Sequence, residues 1–247
     1  DKMFDVFTCV TAQHRSMLDS VLLFFDIKPD YDLDLMQKDQ TLFDVTSNIL
    51  INIQSVFEEV RPDVVLVHGD TTTAMTSALA AFYGQFKLGH VEAGLRTHDI
   101  TSPFPEELNR QIISRIADFH FAPTLSCKDN ISNEFESKKY IEVTGNTVID
   151  ALFWTLKKIN STPNIESSLH NFFSATLNLD IKNTKYILIT GHRRENFGKS
   201  FIEICEAIRA LANKYPEIHF IYPVHLNPNV QKPVHRILNG LKNVHLI

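Results

Sequence analysis

The sequence predicts an α/β protein built on parallel sheets and divided into two βα series. Three observations lead there. Strand-like apolar runs alternate with helix-like runs along most of the 247 residues, as in a parallel sheet with helices on both faces. Runs such as Asp63–His68 are continuously apolar instead of alternating, as expected of strands covered on both sides. A Ser- and Asn-rich stretch at Asn160–Asp180 interrupts the alternation, which then resumes.

In the first series, Phe4–Val10 reads as a buried strand. Gln13–Phe25 places Met17, Leu18, Val21, Leu22 and Phe25 at helical spacing. Leu42–Val60 is a long helix with Leu42, Val45, Ile49 and Ile53 on one stripe. Asp63–His68 is a strand of central type, Thr72–Phe82 an Ala-rich helix and Phe86–Val91 the next strand. Glu106–Ala117 is a helix with acids in its first turn, where they complement the helix dipole. Phe119–Ala122 is a strand, Ser126–Phe135 a helix, Tyr140–Val143 a strand and Val148–Ile159 a helix. Asn160–Asn164 carries turn chemistry. The domain boundary is therefore expected at 165/166, with a short helix within Asn160–Asp180. The second series runs through a strand at Lys185–Thr190, a helix at Ser200–Lys214 and a strand at Ile218–Pro223. A helix at Asn229–Leu238 and a strand at Val244–Ile247 complete it.

Bulk properties narrow the function. The net charge of −5 gives no basic surface for nucleic acid. No apolar run reaches the roughly 18–20 residues of a membrane span, and no signal peptide is visible. A cytoplasmic protein is expected, with no nucleic-acid or membrane partner. Cys9, Cys127 and Cys205 stand far apart, without a CxxC, and read as plain buried residues. The chain opens and closes on core-like strands, which reads as a fragment of a longer protein.

The chemistry concentrates between His68 and Arg110. His68-Gly69-Asp70 ends a strand and opens a helix, the place where ligands bind in open α/β sheets. Asp70 is a candidate general acid or base, or simply a helix cap. Glu92 follows the next strand, and two carboxylates on neighbouring strand ends can divide acid and base roles. Glu92 could instead pair with Arg96. Pro103–Arg110 is a Pro-stiffened loop running into a helix, with Glu106 and Arg110 at i and i+4. These read as site residues or as a surface ion pair. Thr190–Gly198 holds His192, Arg193 and Arg194 before a helix, a reasonable anion site. His225 follows the next strand of the second series. GxGxxG, Walker A, GxSxG and HExxH motifs are absent, so the sequence gives no support to nicotinamide, ATP, serine-hydrolase or zinc chemistry. No cofactor is expected.

Six collinear blocks carry a resemblance. They are TAQHRSML at Thr11–Leu18, HGDTTT at His68–Thr73, GHVEAGLRT at Gly89–Thr97, PFPEELNR at Pro103–Arg110, TGNTVID at Thr144–Asp150 and GHRRENFG at Gly191–Gly198. In this order they resemble the non-hydrolysing UDP-N-acetylglucosamine 2-epimerase family. The resemblance implies two Rossmann-like domains in a glycosyltransferase-B arrangement, here residues 1–165 and 166–247, truncated at both ends. It implies reversible C2 epimerisation of UDP-N-acetylglucosamine to UDP-N-acetylmannosamine, by elimination and re-addition of UDP, for cell-surface polysaccharide synthesis. Asp70, Glu92, Glu106 and His192 fall on the family's catalytic positions. Arg110, His225, Arg96 and Arg193 fall on or beside substrate-binding ones. Gln13, His14 and Arg193 fall where a second, activating UDP-N-acetylglucosamine binds. A homodimer is implied, as is a chain that is inactive without its missing ends. The hydrolysing epimerase and a non-catalytic UDP-sugar-binding module are the alternatives.

Overall fold

A computed structural model describes residues 3–12, 15–35, 37, 40–135, 140–191 and 198–247. Packing divides the chain into two compact units, Asp1–Ile149 and Asp150–Ile247.

The first unit contains β1 (Cys9–Val10), α1 (Arg15–Phe24), β2 (Tyr31–Asp32), α2 (Leu42–Val60), β3 (Val64–His68), α3 (Thr72–Tyr83) and β4 (Lys87–Val91). It continues with α4 (Glu106–Ile116), β5 (Phe119–Ala122), α5 (Leu125–Glu134) and β6 (Tyr140–Val143), and α6 (Thr147–Ser161) begins in it. β3, β4, β5 and β6 form one parallel sheet in that order, and β1 pairs with β2 alone. All four carboxyl ends of the larger sheet therefore lie on one edge.

Local chemistry sets the helices. Thr41 and Asp44 form a reciprocal capping box that starts α2. Arg61, in the left-handed conformation, ends it, and Pro62 follows. Val45, Ile49, Ile53 and Val56 form its buried stripe. α3 is capped by Thr71, whose hydroxyl accepts from the Ala74 N–H at 3.1 Å. Its Ala74, Ala78 and Ala81 let the helix approach Val67 and Leu88 of the sheet closely, with Ile113 and Ala117 of the α4 segment completing the core.

The second unit holds α7 (Pro163–Leu177), β7 (Tyr186–Leu188), α8 (Lys199–Lys214), β8 (His219–Tyr222), α9 (Pro228–Leu238) and β9 (Val244–Leu246). Its three strands are parallel in sequence order. Phe201, Cys205, Ile208 and Ala212 of α8 pack with Phe220 and Tyr222 of β8 and with Val230, Val234 and Leu238 of α9.

The α/β class with parallel sheets is as the sequence predicts, and three details differ. Phe4–Val10 is strand only at Cys9–Val10, and Phe4 is 68% exposed. Among the described residues β1 has one partner, so the apolar run before it has no ladder to join. The Asp63–His68 run is an end strand of its sheet among the described residues, not a central one, and Leu66 is 64% exposed. Asn160–Asn164 spans the end of α6 and the start of α7, with Thr162 as N-cap and Pro163 in the first turn, and the helix expected to be short is 15 residues long. The packing division falls in the first turn of α6, whereas residue pair 165/166 lies inside α7.

Candidate active site

The carboxyl edge of the four-stranded sheet gathers the polar residues of the first unit. β3 ends at His68, and the chain turns at Gly69 with φ +72°, a conformation that glycine adopts without a Cβ penalty. The Gly69 N–H donates to Val91 O at 3.0 Å, which ties the turn to β4. His90, wholly buried in β4, points Nε2 at Gly69 O at 2.8 Å. A carbonyl only accepts, so Nε2 carries the proton. Burial depresses the His90 pKa to about 4, against the opposing effect of that hydrogen bond. His90 is therefore a neutral strut under the turn, not a proton carrier at neutral pH.

Asp70 follows, held from two sides. Asn109 Nδ2 donates to its backbone carbonyl at 2.8 Å, and Arg110 Nη2 donates to its Oδ2 in an ion pair. The Asp70 side chain stays about a quarter exposed, while Arg110 is buried. Arg110 also donates from Nη1 to Glu107 Oε2 at 3.2 Å. Of the two readings of Glu106 and Arg110, the mutual ion pair does not form: Arg110 pairs with Glu107 and Asp70 instead.

Glu92 follows β4 in a left-handed conformation, φ +68°. For a non-glycine residue this costs on the order of 1–3 kcal/mol, and such outliers cluster at functional sites. Its Oε2 lies 3.4 Å from His68 Nε2, and the same nitrogen lies 3.2 Å from Thr147 Oγ1 at the start of α6. Glu92 thus pairs with His68, not with Arg96.

Arg96, which the resemblance places on or beside a substrate-binding position, is held by protein groups of this unit. Its side chain has no exposed surface. Nε and Nη2 grip both oxygens of Glu134 at 2.6 and 2.8 Å, Nη2 also donates to Ser114 Oγ at 3.0 Å, and Nη1 donates to Leu95 O at 2.7 Å. This bidentate fork clamps the loop after Glu92 to α5. Gly94 makes the clamp feasible: a Cβ there would stand 2.1 Å from Cys127 O, and φ is +90°.

Glu106 opens α4 after two cis prolyl bonds, at Ser102–Pro103 and Phe104–Pro105. It is partly exposed, and its carboxylate has no hydrogen bond or ion pair among the described residues. Its neighbour Glu107 is fully buried. Burial is the largest influence on the Glu107 carboxyl and would raise its pKa. Hydrogen bonds from Gln111 and Thr97 and the charge of Arg110 together outweigh it and hold the group below its ordinary value.

The structure therefore brings Asp70, Glu92, Glu106 and Arg110 to one sheet edge, with Arg96 behind it. His68 and Glu107, named in the sequence only as members of their motifs, join them, as do His90 and Asn109, which sequence reasoning did not single out. Their signal was only that they flank the candidate residues of those motifs. In the second unit His225 is exposed after β8, its Nδ1 accepting from the Asn227 N–H at 3.1 Å. His192, Arg193, Gln13 and His14 lie outside the described residues. Among the described residues, no group of three or more His, Cys, Asp or Glu could hold a metal, and no helix is long and apolar enough to cross a membrane.

Partly exposed carboxylates beside a buried arginine, at the carboxyl edge of a parallel sheet, suit proton transfer to and from an anionic ligand. Known proteins with similar chains have compatible names. A family profile described as UDP-N-acetylglucosamine 2-epimerase matches residues 1–247. A Yersinia pestis UDP-N-acetylglucosamine 2-epimerase is 52% identical over 247 residues, a match covering 100% of this chain and 65% of the relative. The chain thus spans just under two thirds of that relative's length. The crystal structure of UDP-GlcNAc 2-epimerase from Neisseria meningitidis bound to UDP-GlcNAc matches with a TM-score of 0.89 at 49% identity, over 98% of this chain and 64% of the other. The Methanocaldococcus jannaschii UDP-GlcNAc 2-epimerase in complex with UDP-GlcNAc and UDP matches with a TM-score of 0.80 at 29% identity, over 99% of this chain and 66% of the other.

Proposed function

Because this chain belongs to the UDP-N-acetylglucosamine 2-epimerase family, we propose that it carries the proton-transfer half of a non-hydrolysing epimerase. The enzyme interconverts UDP-N-acetylglucosamine and UDP-N-acetylmannosamine. The observation that carries this reading is the set of three carboxylates, Asp70, Glu92 and Glu106, on one edge of the sheet, with Arg110 paired to the first.

The chemistry accounts for the residue types. The C2 proton of the sugar is not acidic, so simple removal and return is slow. Elimination avoids that barrier: a carboxylate takes the C2 proton while UDP leaves from C1 with the bonding electron pair, giving a 2-acetamidoglucal. Re-addition of UDP at C1 with protonation of C2 from the other face gives the epimer. Two carboxylates on different strand ends can serve the two faces, and no redox step arises. Glu92 and Asp70 supply the proton handling, with His68 orienting Glu92. Glu106, free of internal bonds among the described residues, is the third proton carrier. His192 and Arg193 act on the diphosphate, where cationic groups stabilise the departing UDP. His225 contacts the nucleotide. Gln13, His14 and Arg193 form the activating site for a second UDP-N-acetylglucosamine. The natural enzyme is a cytoplasmic homodimer feeding cell-surface polysaccharide synthesis. Residues 1–247 alone turn over very slowly, since binding energy spent on the nucleotide supports catalysis at the sugar.

Product analysis tests this. The natural full-length protein is incubated with UDP-N-acetylglucosamine and the products are separated by anion exchange. A mixture of the two UDP-sugars, with no free sugar, is expected. Free N-acetylmannosamine with stoichiometric UDP would assign the hydrolysing reaction instead, and binding without turnover would assign a UDP-sugar sensor.

A further inference from the structure

We infer that Glu107, which no motif role covers, is a positioning residue: it locks Arg110 against Asp70 and at the same time pins the loop that follows Glu92. This role rests on the epimerase reading above only for the substrate used in its test.

The two adjacent glutamates of α4 are in opposite circumstances. Successive helix residues point about 100° apart, so Glu106 and Glu107 face different surroundings. Glu106 is partly exposed and unbonded among the described residues. Glu107 has no exposure, and both of its oxygens are occupied. Oε1 accepts from Gln111 Nε2 at 2.9 Å. Oε2 accepts from the Thr97 N–H at 3.1 Å and from Arg110 Nη1 at 3.2 Å. A carboxylate so enclosed reaches neither solvent nor a ligand, so it is not itself a proton carrier.

Its partners explain what it does. Arg110 is three residues on, the same helix face, and its guanidinium bridges Glu107 and Asp70. A guanidinium is a rigid planar fork, so fixing Nη1 on Glu107 fixes the direction in which Nη2 meets Asp70. Thr97 lies in the loop between β4 and α4 that leaves Glu92, next to Arg96, whose guanidinium grips Glu134. One buried carboxylate thereby aligns the segments that carry Asp70, Glu92 and Glu106. Misplacement of a reacting group by about 1 Å can cost 10²-fold in rate.

Steady-state kinetics on the natural full-length protein test the role with Glu107→Gln, Arg110→Gln and the double variant, using UDP-N-acetylglucosamine. Glu107→Gln is expected to lower kcat by roughly 10–100-fold, with KM within about threefold of the parent value. The double variant is expected to lose clearly less than the product of the two single losses, because part of the Glu107 effect runs through Arg110. A kcat within twofold of the parent, a raised KM at unchanged kcat, or losses that multiply in the double variant would overturn the role. Should Glu107→Gln fail to fold, Gln111→Leu removes one restraint without burying an unpaired charge. It is expected to lower kcat by about three- to tenfold at unchanged KM, and an unchanged kcat would overturn the role. If the parent protein itself leaves UDP-N-acetylglucosamine unchanged, the epimerase reading falls separately. A crystal structure of Glu107→Gln then decides: Arg110 displaced from Asp70 supports the role, and an unmoved Arg110 overturns it.

Discussion

The carboxyl ends of the strands are built from different materials in the two units. After β3 and β4 of the first unit, polar side chains are buried against one another: His90 under Gly69, Arg110 between Asp70 and Glu107, Arg96 on Glu134. Among the described residues of the second unit, the cluster beneath the strand ends is apolar. The Tyr222 hydroxyl reaches out of that cluster to donate to Gly191 O at 2.7 Å. Buried polar pairs contribute little net stability, because desolvation offsets their attraction, but they fix directions closely. Apolar packing does the reverse. The difference separates a region shaped for geometry from one shaped for stability, and each can be perturbed without the other.

The largest expected effect is on the geometric side. Glu92→Gln should lower kcat by roughly 10²–10⁴-fold, about 3–5 kcal/mol of barrier. Its thermal unfolding midpoint should hold within a few degrees, because relief of a strained backbone is not at stake when the side chain stays the same size. A large fall in the midpoint would mean that Glu92 serves the fold.

Phe201→Ala is the counterpart in the second unit. Phe201 sits at the centre of the apolar cluster and is almost fully buried. Its truncation should cost roughly 3–5 kcal/mol in denaturant unfolding. A cost under about 1 kcal/mol would remove the contrast between the units.

His90 gives the first unit an acid sensitivity. Its folded-state pKa, about 4, lies below the ordinary value near 6.5. Between those values the unfolded chain binds a proton that the folded one refuses, so stability falls as pH drops. The contribution is fully present above pH ~6.5, and about 3 kcal/mol is lost by pH ~4. Below that both states are protonated and the loss levels off. Urea unfolding of His90→Gln across this range should show a shallower acid slope than the parent, whereas parallel slopes would contradict the buried neutral imidazole.

The smallest effect expected is for Tyr222→Phe. Burial pushes the Tyr222 phenol up to about 12, so the hydroxyl stays a donor across the working range. Removing it should cost about 1 kcal/mol, visible in unfolding and absent from the rate per folded molecule under saturating substrate.

The same contrast explains what is legible in the sequence. Helix bounds are legible where capping chemistry is local: Leu42–Val60 matches residue for residue, with Thr41, Asp44 and Pro62 framing it. Strands at Phe119–Ala122 and Tyr140–Val143 match because pairing on neighbours stops where the apolar run stops. Phe4–Val10 and Asp63–His68 mislead because apolar composition encodes an appetite for burial, not the partner that satisfies it. At the site, Asp70, Glu92 and Glu106 stand out as charges at strand ends and a helix start. The split between Glu106 and Glu107 is invisible in sequence, since it depends on which helix face meets Thr97 and Arg110. The hold of Arg96 on Glu134 is invisible for the same reason, since its partner lies thirty-eight positions away.

The central claim is that the carboxylates at this sheet edge exchange the C2 proton of a UDP-sugar. Proton NMR of UDP-N-acetylglucosamine in D2O with the natural full-length protein tests it most directly. The account predicts UDP-N-acetylmannosamine carrying deuterium at C2, with the exchange lost in Glu92→Gln. Epimer formed with the original C2 proton retained, or exchange undiminished in Glu92→Gln, would contradict it.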